Sequence, residues 1–250
     1  MARADLLLVE LGLADSRTQA QQMIAAGRVS VAGKRVDKAS ARLAAGMDIA
    51  IAADPADRFV SRGGLKLAGA LAQTGLVVAG MTVLDVGQST GGFSDCLVQA
   101  GARRVVGLEV GHGQLHPRLA GDERITTLEG VNARHLQPDG LAGVLDAPVG
   151  LIVGDVSFIS LTLILPALAG QLGTGGLLLF LVKPQFEVGP TRLGKGGIVR
   201  DAGCYPEVET KIRNAALKAG FEVLDYFDSP ITGGDGNREF FIYARRGTTA

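Results

Sequence analysis

Short apolar runs alternate with helix-like segments from Gly80 to the last strand-like run of this chain. The runs are rich in Val, Ile, Leu and Phe, residue types that favour strands. Such alternation predicts an α/β domain, a Rossmann-like doubly wound parallel sheet with helices on both faces. The predicted strands cover residues 82–86, 104–110, 125–128, 149–156, 177–183, 221–227 and 239–244.

The first 45 residues have a different pattern, typical of two short helices followed by a hairpin. Residues 6–13 are predicted to form the first helix. Ser16 is a candidate N-cap for a second helix that continues to Ala26 and stops at Gly27. The sequence RVSV and a turn at residues 32–33 follow, so this segment is predicted to be a small α+β domain.

One apolar stretch, residues 159–182, has no charged residue and is long enough to cross a bilayer. Pro166 and four glycines interrupt it, which predicts a helix, a turn and a buried strand instead of a spanning helix. The N-terminus has no long apolar core after its basic residue, so we do not expect a secretory signal.

Composition and charge refine this picture. A chain of 250 residues with 47% hydrophobic content can bury one large core and leave room for a small module. Its two cysteines, Cys96 and Cys204, lack disulfide or metal-like spacing, which indicates a reducing compartment and therefore the cytoplasm. Residues 1–45 carry seven Lys or Arg and four Asp or Glu, while the whole chain is neutral, so the remainder has a net charge of −3. We predict domains at residues 1–58 and 59–250.

Basic residues of the small domain gather near its predicted second helix and its turn, as residues that contact phosphates do. The segment RADLLLVELGLADSRTQAQQMIAAGRVSVAGKRV resembles the S4 RNA-binding domain, which implies binding to structured RNA. A purely structural appendage is the alternative. The candidate RNA-binding residues are Arg3, Arg17, Arg28, Lys34 and Arg35.

The stretch VLDVGQSTGGFSD, residues 83–95, places an acidic residue and glycines between a predicted strand and a helix. It lacks the G-x-G-x-x-G spacing of a dinucleotide site. Glu109, at the end of the next strand, can accept the hydroxyls of a ribose, and Asp85 disfavours a phosphate and suits a sulfonium and an ammonium group. S-adenosylmethionine fits both conditions, and a glycine-rich turn without a ligand is the alternative.

Two other motifs are rejected. Residues 189–196 have the spacing of a phosphate-binding loop, but Gly196 stands where a Mg²⁺-binding Ser or Thr is needed. Glu109, His112 and His116 could line one helical face as metal ligands, but Glu109 belongs to a strand end and Pro117 interrupts the pattern. We therefore expect no metal site.

Four charged residues are predicted to converge on one rim of the sheet. Asp155 and Lys183 follow the fourth and fifth strands, Glu239 opens the last strand, and Lys66 lies on a helix before the first strand. A ribose hydroxyl ionises far above neutral pH, so its methylation needs a base or cations that stabilise the alkoxide. Two lysines held by two carboxylates provide this, whereas surface salt bridges are the alternative for each residue alone.

The motifs SRGGLKLAGAL, LDVGQSTGGFSD, VGHGQL, NAR, GDVSFIS, LVKPQFEVG, GKGGIVRD and GNREFF, with the S4-like segment, resemble the TlyA family. These are S4-linked, FtsJ-like methyltransferases, also named haemolysins, that methylate cytidine 2′-hydroxyls of ribosomal RNA. The resemblance implies that Lys66, Asp155, Lys183 and Glu239 form the catalytic Lys-Asp-Lys-Glu tetrad, with no metal. Gln88, where the family has a small residue, and His116–Pro117 depart from the pattern. The expected S-adenosylmethionine-binding residues are Asp85, Gly87, Ser89, Gly91, Gly92, Phe93, Glu109, Val110, Asn132 and Asp155.

The sequence therefore predicts an S-adenosylmethionine-dependent RNA (cytidine-2′-O)-methyltransferase that acts on ribosomal RNA or ribosomal subunits. An RNA-binding ribosome-assembly factor with an inactive or regulatory methyltransferase fold is the alternative. A membrane-lytic toxin is disfavoured because the sequence shows neither a signal nor an intact spanning helix.

Overall fold

The computed structural model describes residues 1–14, 16–44 and 46–247. The chain divides into two compact units, Met1–Arg58 and Phe59–Ala250. The last three residues of the predicted second domain, 248–250, lie outside the described residues.

The first unit is the predicted small α+β domain. Its second helix is N-capped by Ser16, whose Oγ accepts a hydrogen bond from the backbone N–H of Gln19 (3.2 Å), as predicted. Ala32 and Gly33 both have positive φ, which forms the tight turn of the predicted hairpin. The first helix begins two residues earlier than predicted. The elements are β1 (Ala2–Arg3), α1 (Ala4–Glu10), α2 (Arg17–Ala25), β2 (Val29–Val31), β3 (Lys34–Arg35), β4 (Arg42–Leu43) and β5 (Ile49–Ile51).

The second unit is built around a seven-stranded sheet with the strand order β11-β12-β10-β9-β6-β7-β8. Every end of the seven strands lies within two residues of the predicted run. The central strands β6, β9 and β10 are continuous apolar runs apart from Thr82 and Asp85 because they are buried on both faces of the sheet. The elements are α3 (Arg62–Thr74), β6 (Thr82–Val86), α4 (Gly92–Gln99), β7 (Arg104–Glu109), β8 (Ile125–Glu129), β9 (Leu151–Gly154), α5 (Leu165–Ala169), β10 (Leu177–Val182), α6 (Tyr205–Lys218), β11 (Phe221–Asp228) and β12 (Phe240–Arg246).

Both faces of this sheet are covered, as the doubly wound prediction requires. On one face, Leu67 of α3 and Leu97 of α4 pack against Val83 and neighbouring strand residues. On the other face, helices α5 and α6 pack through residues such as Leu165 and Ile212. The result is a three-layer α/β/α domain.

The prediction of an entirely parallel sheet is wrong for β12. This strand pairs antiparallel with β10 on one side and with β11 on the other. A parallel pair needs a crossover connection of a dozen or more residues, usually a helix. Residues 229–239, which join β11 to β12, contain no helix, so the chain reverses and β12 fills the position between β10 and β11.

The apolar stretch at residues 159–182 is divided as predicted. A 3-10 turn at Leu161–Leu163 and the short helix α5 precede a glycine-containing turn and strand β10. Among the helices of residues 1–14, 16–44 and 46–247, none has the length and hydropathy needed to cross a membrane.

The sheet has a switch point between β6 and β9. From β6 the chain continues to β7 and β8 on one side, and it then returns to β9 on the other side. In doubly wound sheets ligands bind in the crevice beyond the carboxyl ends of the two strands at such a point. Asp85 in β6 and Asp155, which follows β9, both lie there.

Candidate active site

The four predicted tetrad residues meet at one rim of the sheet. Lys66 Nζ lies 2.6 Å from Glu239 Oε2 and 3.7 Å from Asp155 Oδ2. Lys183 Nζ lies 2.5 Å from Asp155 Oδ1. The tetrad is therefore a continuous chain of alternating charges, in which Asp155 bridges the two ammonium groups.

Four different elements deliver these side chains. Lys66 projects from α3, while Asp155 and Lys183 directly follow β9 and β10. Val182 pairs with Phe240 in the antiparallel ladder of β10 and β12, so Glu239 lies beside Lys183 at the same rim. The reversed direction of β12 thus brings the start of this strand, and not its end, into the site.

Burial makes the pair of Lys66 and Glu239 unusual among the ion pairs of the domain. Their side chains are 8% and 2% exposed, respectively. Burial raises the pKa of Glu239, and the hydrogen bond and charge of Lys66 oppose this effect. Removing one partner from such a pair leaves an uncompensated buried charge, which is strongly destabilising.

Asp85 is a buried residue of β6 at the switch point of the sheet. Burial raises the pKa of its carboxyl group to about 7, a hydrogen bond from Ser94 opposes this, and the negative charge of Asp155 adds to it. Ser94 Oγ donates to Asp85 Oδ2 over 2.7 Å, whereas Asp85 Oδ1 is a buried acceptor without a hydrogen-bond partner in the described part of the chain. An acceptor of this kind fits the ammonium group of a ligand.

Glu109 is held firmly at the end of β7. Its carboxylate accepts hydrogen bonds from the backbone N–H groups of Ser89 (2.8 Å) and Gly111 (2.9 Å) and a longer one from Gln114 Nε2 (3.3 Å). A carboxylate has about four lone-pair sites, so one remains for a ribose hydroxyl. The sequence predicted that Glu109 accepts both ribose hydroxyls, and this requires the Gln114 side chain to move away from the carboxylate.

The three glycines of the turn, Gly87, Gly91 and Gly92, are each required for a different structural reason. Gly87 has φ +78°, and a Cβ there would lie 2.9 Å from the carbonyl oxygen of Asp155. Side chains at Gly91 and Gly92 would collide with Leu119 and with Ser61, respectively. Only Gly87 therefore marks a close approach at the switch point itself, while the other two permit packing of α4.

Three other predicted cofactor-binding residues differ in whether their side chains are free to contact a ligand. Phe93 is buried and stacks on Phe241 with ring centroids 6.3 Å apart, so its ring belongs to the core and only its backbone can face a ligand. Val110 is exposed beside Glu109. The side-chain oxygen of Asn132 accepts from the N–H of Arg134 and caps the 3-10 turn Ala133–His135.

An aromatic side chain that the sequence reasoning missed lies next to the tetrad. Phe158 is 92% exposed, and its φ of +64° is strained for a bulky residue. Its ring packs against Phe186 at 5.3 Å, and the adjacent Ser157 accepts a hydrogen bond from Lys183 Nζ over 2.9 Å. Strained backbone often marks functional positions. The position of Phe158 in GDVSFIS, three residues after Asp155, was the available signal.

Glu187 fixes the loop that carries Phe158. Its buried carboxylate accepts hydrogen bonds from Ser160 Oγ (2.6 Å) and the N–H of Leu161 (2.7 Å), and it forms an ion pair with Lys211 Nζ (2.7 Å). The loops after β9 and β10 are thereby tied together, which holds the exposed ring in place.

In the first unit, Asp5 brings two of the predicted RNA-binding residues together. Its fully buried carboxylate accepts from Arg3 Nε (2.9 Å) and Arg17 Nε (2.9 Å). Lys34 and Arg35 are exposed on β3, next to a surface groove of about 570 Å³. Arg28 is less exposed than the other four predicted RNA-binding residues.

The Arg28 side chain is only 13% exposed and forms ion pairs with Asp54 and Asp57 within the same unit. Arg3 and Arg17 share the single carboxylate of Asp5, and Arg35 pairs with Asp37, but these three side chains are more exposed than Arg28. Arg28 combines low exposure with two carboxylate partners, so it is the predicted RNA contact that the structure supports least.

The rejected phosphate-loop motif lacks the strand-to-helix context that such a site needs. Residues 189–196 form two 3-10 turns, Pro190–Arg192 and Lys195–Gly197, and do not run from a strand into a helix. Within the described ranges, no group of three or more His, Cys, Asp or Glu side chains is arranged to hold a metal ion.

Comparison with known proteins gives consistent matches over both units. Residues 59–246 match the FtsJ-like methyltransferase family, and residues 3–49 match the S4 domain. The chain is 40% identical over 247 residues to the 16S/23S rRNA (cytidine-2′-O)-methyltransferase TlyA of Mycobacterium tuberculosis, covering 99% of this chain and 91% of the relative.

Two further matches carry a different name. Hemolysin A of Brachyspira hyodysenteriae is 35% identical over 232 residues, which is 93% of this chain and 95% of that protein. A solved structure from Streptococcus thermophilus, also named a hemolysin, has a TM-score of 0.78 at 39% identity and covers 99% of this chain and 89% of that chain.

Proposed function

This chain belongs to the FtsJ-like methyltransferases and, among them, to the TlyA family, as its motifs predicted, and on this basis we propose that it methylates the 2′-hydroxyl of cytidine in ribosomal RNA. The methyl donor is S-adenosylmethionine. A ribosomal RNA substrate supports the proposal that the protein acts in the cytoplasm.

The observation that carries this proposal is the tetrad of Lys66, Asp155, Lys183 and Glu239 beside the switch-point crevice. The 2′-hydroxyl is a poor nucleophile at neutral pH, because its ionisation is unfavourable. Two ammonium groups held by carboxylates stabilise the negative charge that develops on its oxygen. A structural ion-pair network would not need to lie at the mouth of a ligand crevice.

The crevice fits S-adenosylmethionine by the chemistry of its donor set. S-adenosylmethionine supplies an electrophilic methyl group on a positively charged sulfur. Glu109 offers a remaining lone-pair site to the ribose, and the unpaired Asp85 Oδ1 offers an anionic acceptor to the ammonium group. Glu109, and Asp85 in its ionised form, place negative charge in the crevice, which favours a cationic ligand.

Each tetrad residue then has a distinct task. Lys183 is ion-paired to Asp155, so it acts as a cation that stabilises the developing alkoxide, while the hydroxyl proton passes to solvent water. Lys66 and Glu239 form the buried end of the chain and fix the position of Asp155. Alignment of a nucleophile in this way contributes several kcal/mol, up to about 7–11 in ideal cases.

Phe158 is suited to hold the target nucleotide. An exposed aromatic ring beside a catalytic rim offers a stacking surface for an unstacked base, and RNA is commonly recognised through such splayed bases. The basic residues of the S4 unit, Arg3, Arg17, Lys34 and Arg35, would contact phosphates and supply much of the affinity for RNA.

The proposal is tested by incubating the protein with ribosomal subunits that lack 2′-O-methylation and with labelled S-adenosylmethionine. We expect label in ribosomal RNA at a cytidine 2′-oxygen, identified by mass spectrometry of nuclease fragments. Binding of RNA without methyl transfer would refute the proposal and support the assembly-factor alternative.

A further inference from the structure

Gln88, one of the residues that depart from the family pattern, has an almost fully buried side chain in the glycine-rich turn. Its side chain occupies the space above Gly107 of β7, where any side chain would collide with the Gln88 amide. The absence of a side chain at Gly107 therefore leaves the space that the Gln88 amide occupies.

The Gln88 amide links two elements through hydrogen bonds. Thr127 Oγ1, in β8, donates to Gln88 Oε1 over 2.8 Å, and Gln88 Nε2 donates to Ser94 Oγ, in α4, over 2.8 Å. An amide nitrogen can only donate, so Ser94 Oγ must accept this bond and direct its own proton elsewhere. That proton points to Asp85 Oδ2, 2.7 Å away.

The bonds form a chain with one direction, from Thr127 through Gln88 and Ser94 to Asp85. Hydrogen bonds in a buried chain polarise one another, and a donor aimed at a carboxylate favours its ionised form. This matters at Asp85 because burial and the nearby carboxylates of Asp155 and Glu109 all disfavour its negative charge.

We propose that Gln88 is a positioning residue that orients the Ser94 hydroxyl and thereby favours the ionised form of Asp85, which binds the ammonium group of S-adenosylmethionine. This inference rests on the proposed function, since it assigns Asp85 to the amino-acid part of the cofactor. It explains why a larger polar residue stands in this turn.

The test compares two ligands by calorimetry. 5′-Methylthioadenosine contains the adenine, ribose and sulfur of the cofactor but no amino-acid part. Gln88→Met should weaken S-adenosylmethionine binding about fourfold at pH 6.5, close to the loss of one ordinary hydrogen bond, and leave 5′-methylthioadenosine binding unchanged. Gln171→Met, at a glutamine whose side-chain amide donates to the backbone oxygen of Gln137, is the matched control and should change neither.

The pH dependence separates this role from a general loss of structure. Asp85 becomes ionised in both proteins at high pH, so the difference between wild type and Gln88→Met should nearly vanish at pH 8.5. Ser94→Ala breaks the same chain, and the double variant should bind no more weakly than Ser94→Ala alone. Thr127→Val, at the partly exposed end, serves if Gln88→Met does not fold, and it should show the same pattern to a smaller extent.

Three results would overturn the inference while leaving the proposed function intact: equal S-adenosylmethionine affinity of wild type and Gln88→Met, equal weakening of both ligands, or a loss that does not depend on pH. If the wild-type protein failed to bind S-adenosylmethionine, the proposed function and the inference would both be refuted.

Discussion

Replacing Asp85 by Asn should stabilise the cofactor-free protein while weakening cofactor binding. The Asp85 carboxyl is buried, and its pKa is raised from 3.8 to about 7. At about 1.4 kcal/mol per pH unit, this difference corresponds to about 4 kcal/mol of unfavourable free energy once the pH exceeds 7. Asn is neutral at every pH and avoids this cost.

The sign of the pH dependence follows from proton release. Below pH 3.8 the carboxyl is protonated in both the folded and the unfolded state. Between pH 3.8 and 7 only the unfolded state releases the proton, so the stability of the wild type falls as the pH rises. The stability advantage of Asp85→Asn should therefore grow by about 2–3 kcal/mol between pH 5 and pH 8.

The assay is urea unfolding followed by circular dichroism, for wild type and Asp85→Asn, across this pH range. Taking the difference between the two proteins cancels the contributions of all other titrating groups. Asp139→Asn, at an exposed carboxyl group, is the control and should show no such change. Parallel pH profiles for wild type and Asp85→Asn would refute the assignment of a raised pKa to this buried carboxyl.

Three further predictions concern turnover and RNA binding. Lys183→Ala should abolish methyl transfer while leaving S-adenosylmethionine affinity nearly unchanged, as measured by labelled methyl incorporation and calorimetry; wild-type turnover would rule out its role at the alkoxide. Phe158→Ala should lower kcat/KM for RNA by about tenfold or more, the size of about 1–3 kcal/mol of lost base stacking, whereas Phe158→Tyr should retain activity. Arg17→Gln should reduce the slope of log RNA affinity against log salt by about 0.9, the value for one lost contact with a duplex phosphate. Arg28→Gln should leave that slope unchanged, because Arg28 is already paired with two carboxylates. Coinciding slopes for Arg17→Gln and wild type would show that Arg17 does not contact a phosphate.

The sequence predicted where the strands lie but not how they are all directed. A run such as residues 221–227 is rich in Phe, Val and Tyr, which favour strands, but this composition does not identify the neighbouring strands. The direction of β12 depends on the connection at residues 229–239, whose lack of a helix was the overlooked signal. The tetrad was still predicted correctly as a cluster, because strand ends and a reversed strand start meet at the same rim.

The residues that the sequence analysis missed do not belong to a repeating pattern of apolar and polar positions. Phe158 is a single aromatic residue in a loop, and its exposure depends on contacts of Glu187 with both loops. Gln88 was noticed only as a departure from a family pattern, since its partners Ser94 and Thr127 belong to elements that only the folded sheet brings together. Arg28 shows the reverse case, in which a candidate contact is paired with carboxylates, Asp54 and Asp57, that are distant in sequence and are brought to it by the fold of the first unit.

The antiparallel insertion of β12 makes catalytic competence depend on one border of the sheet. Strand β11 is the edge strand, and β12 is held to the rest of the sheet through β10 alone. A local unfolding event that separates this hairpin from β10 would carry Glu239 away and leave the Lys66 ammonium without its closest carboxylate. The crevice between β6 and β9 would persist, so the partly opened protein would still bind the cofactor but would lack the arrangement needed to transfer the methyl group.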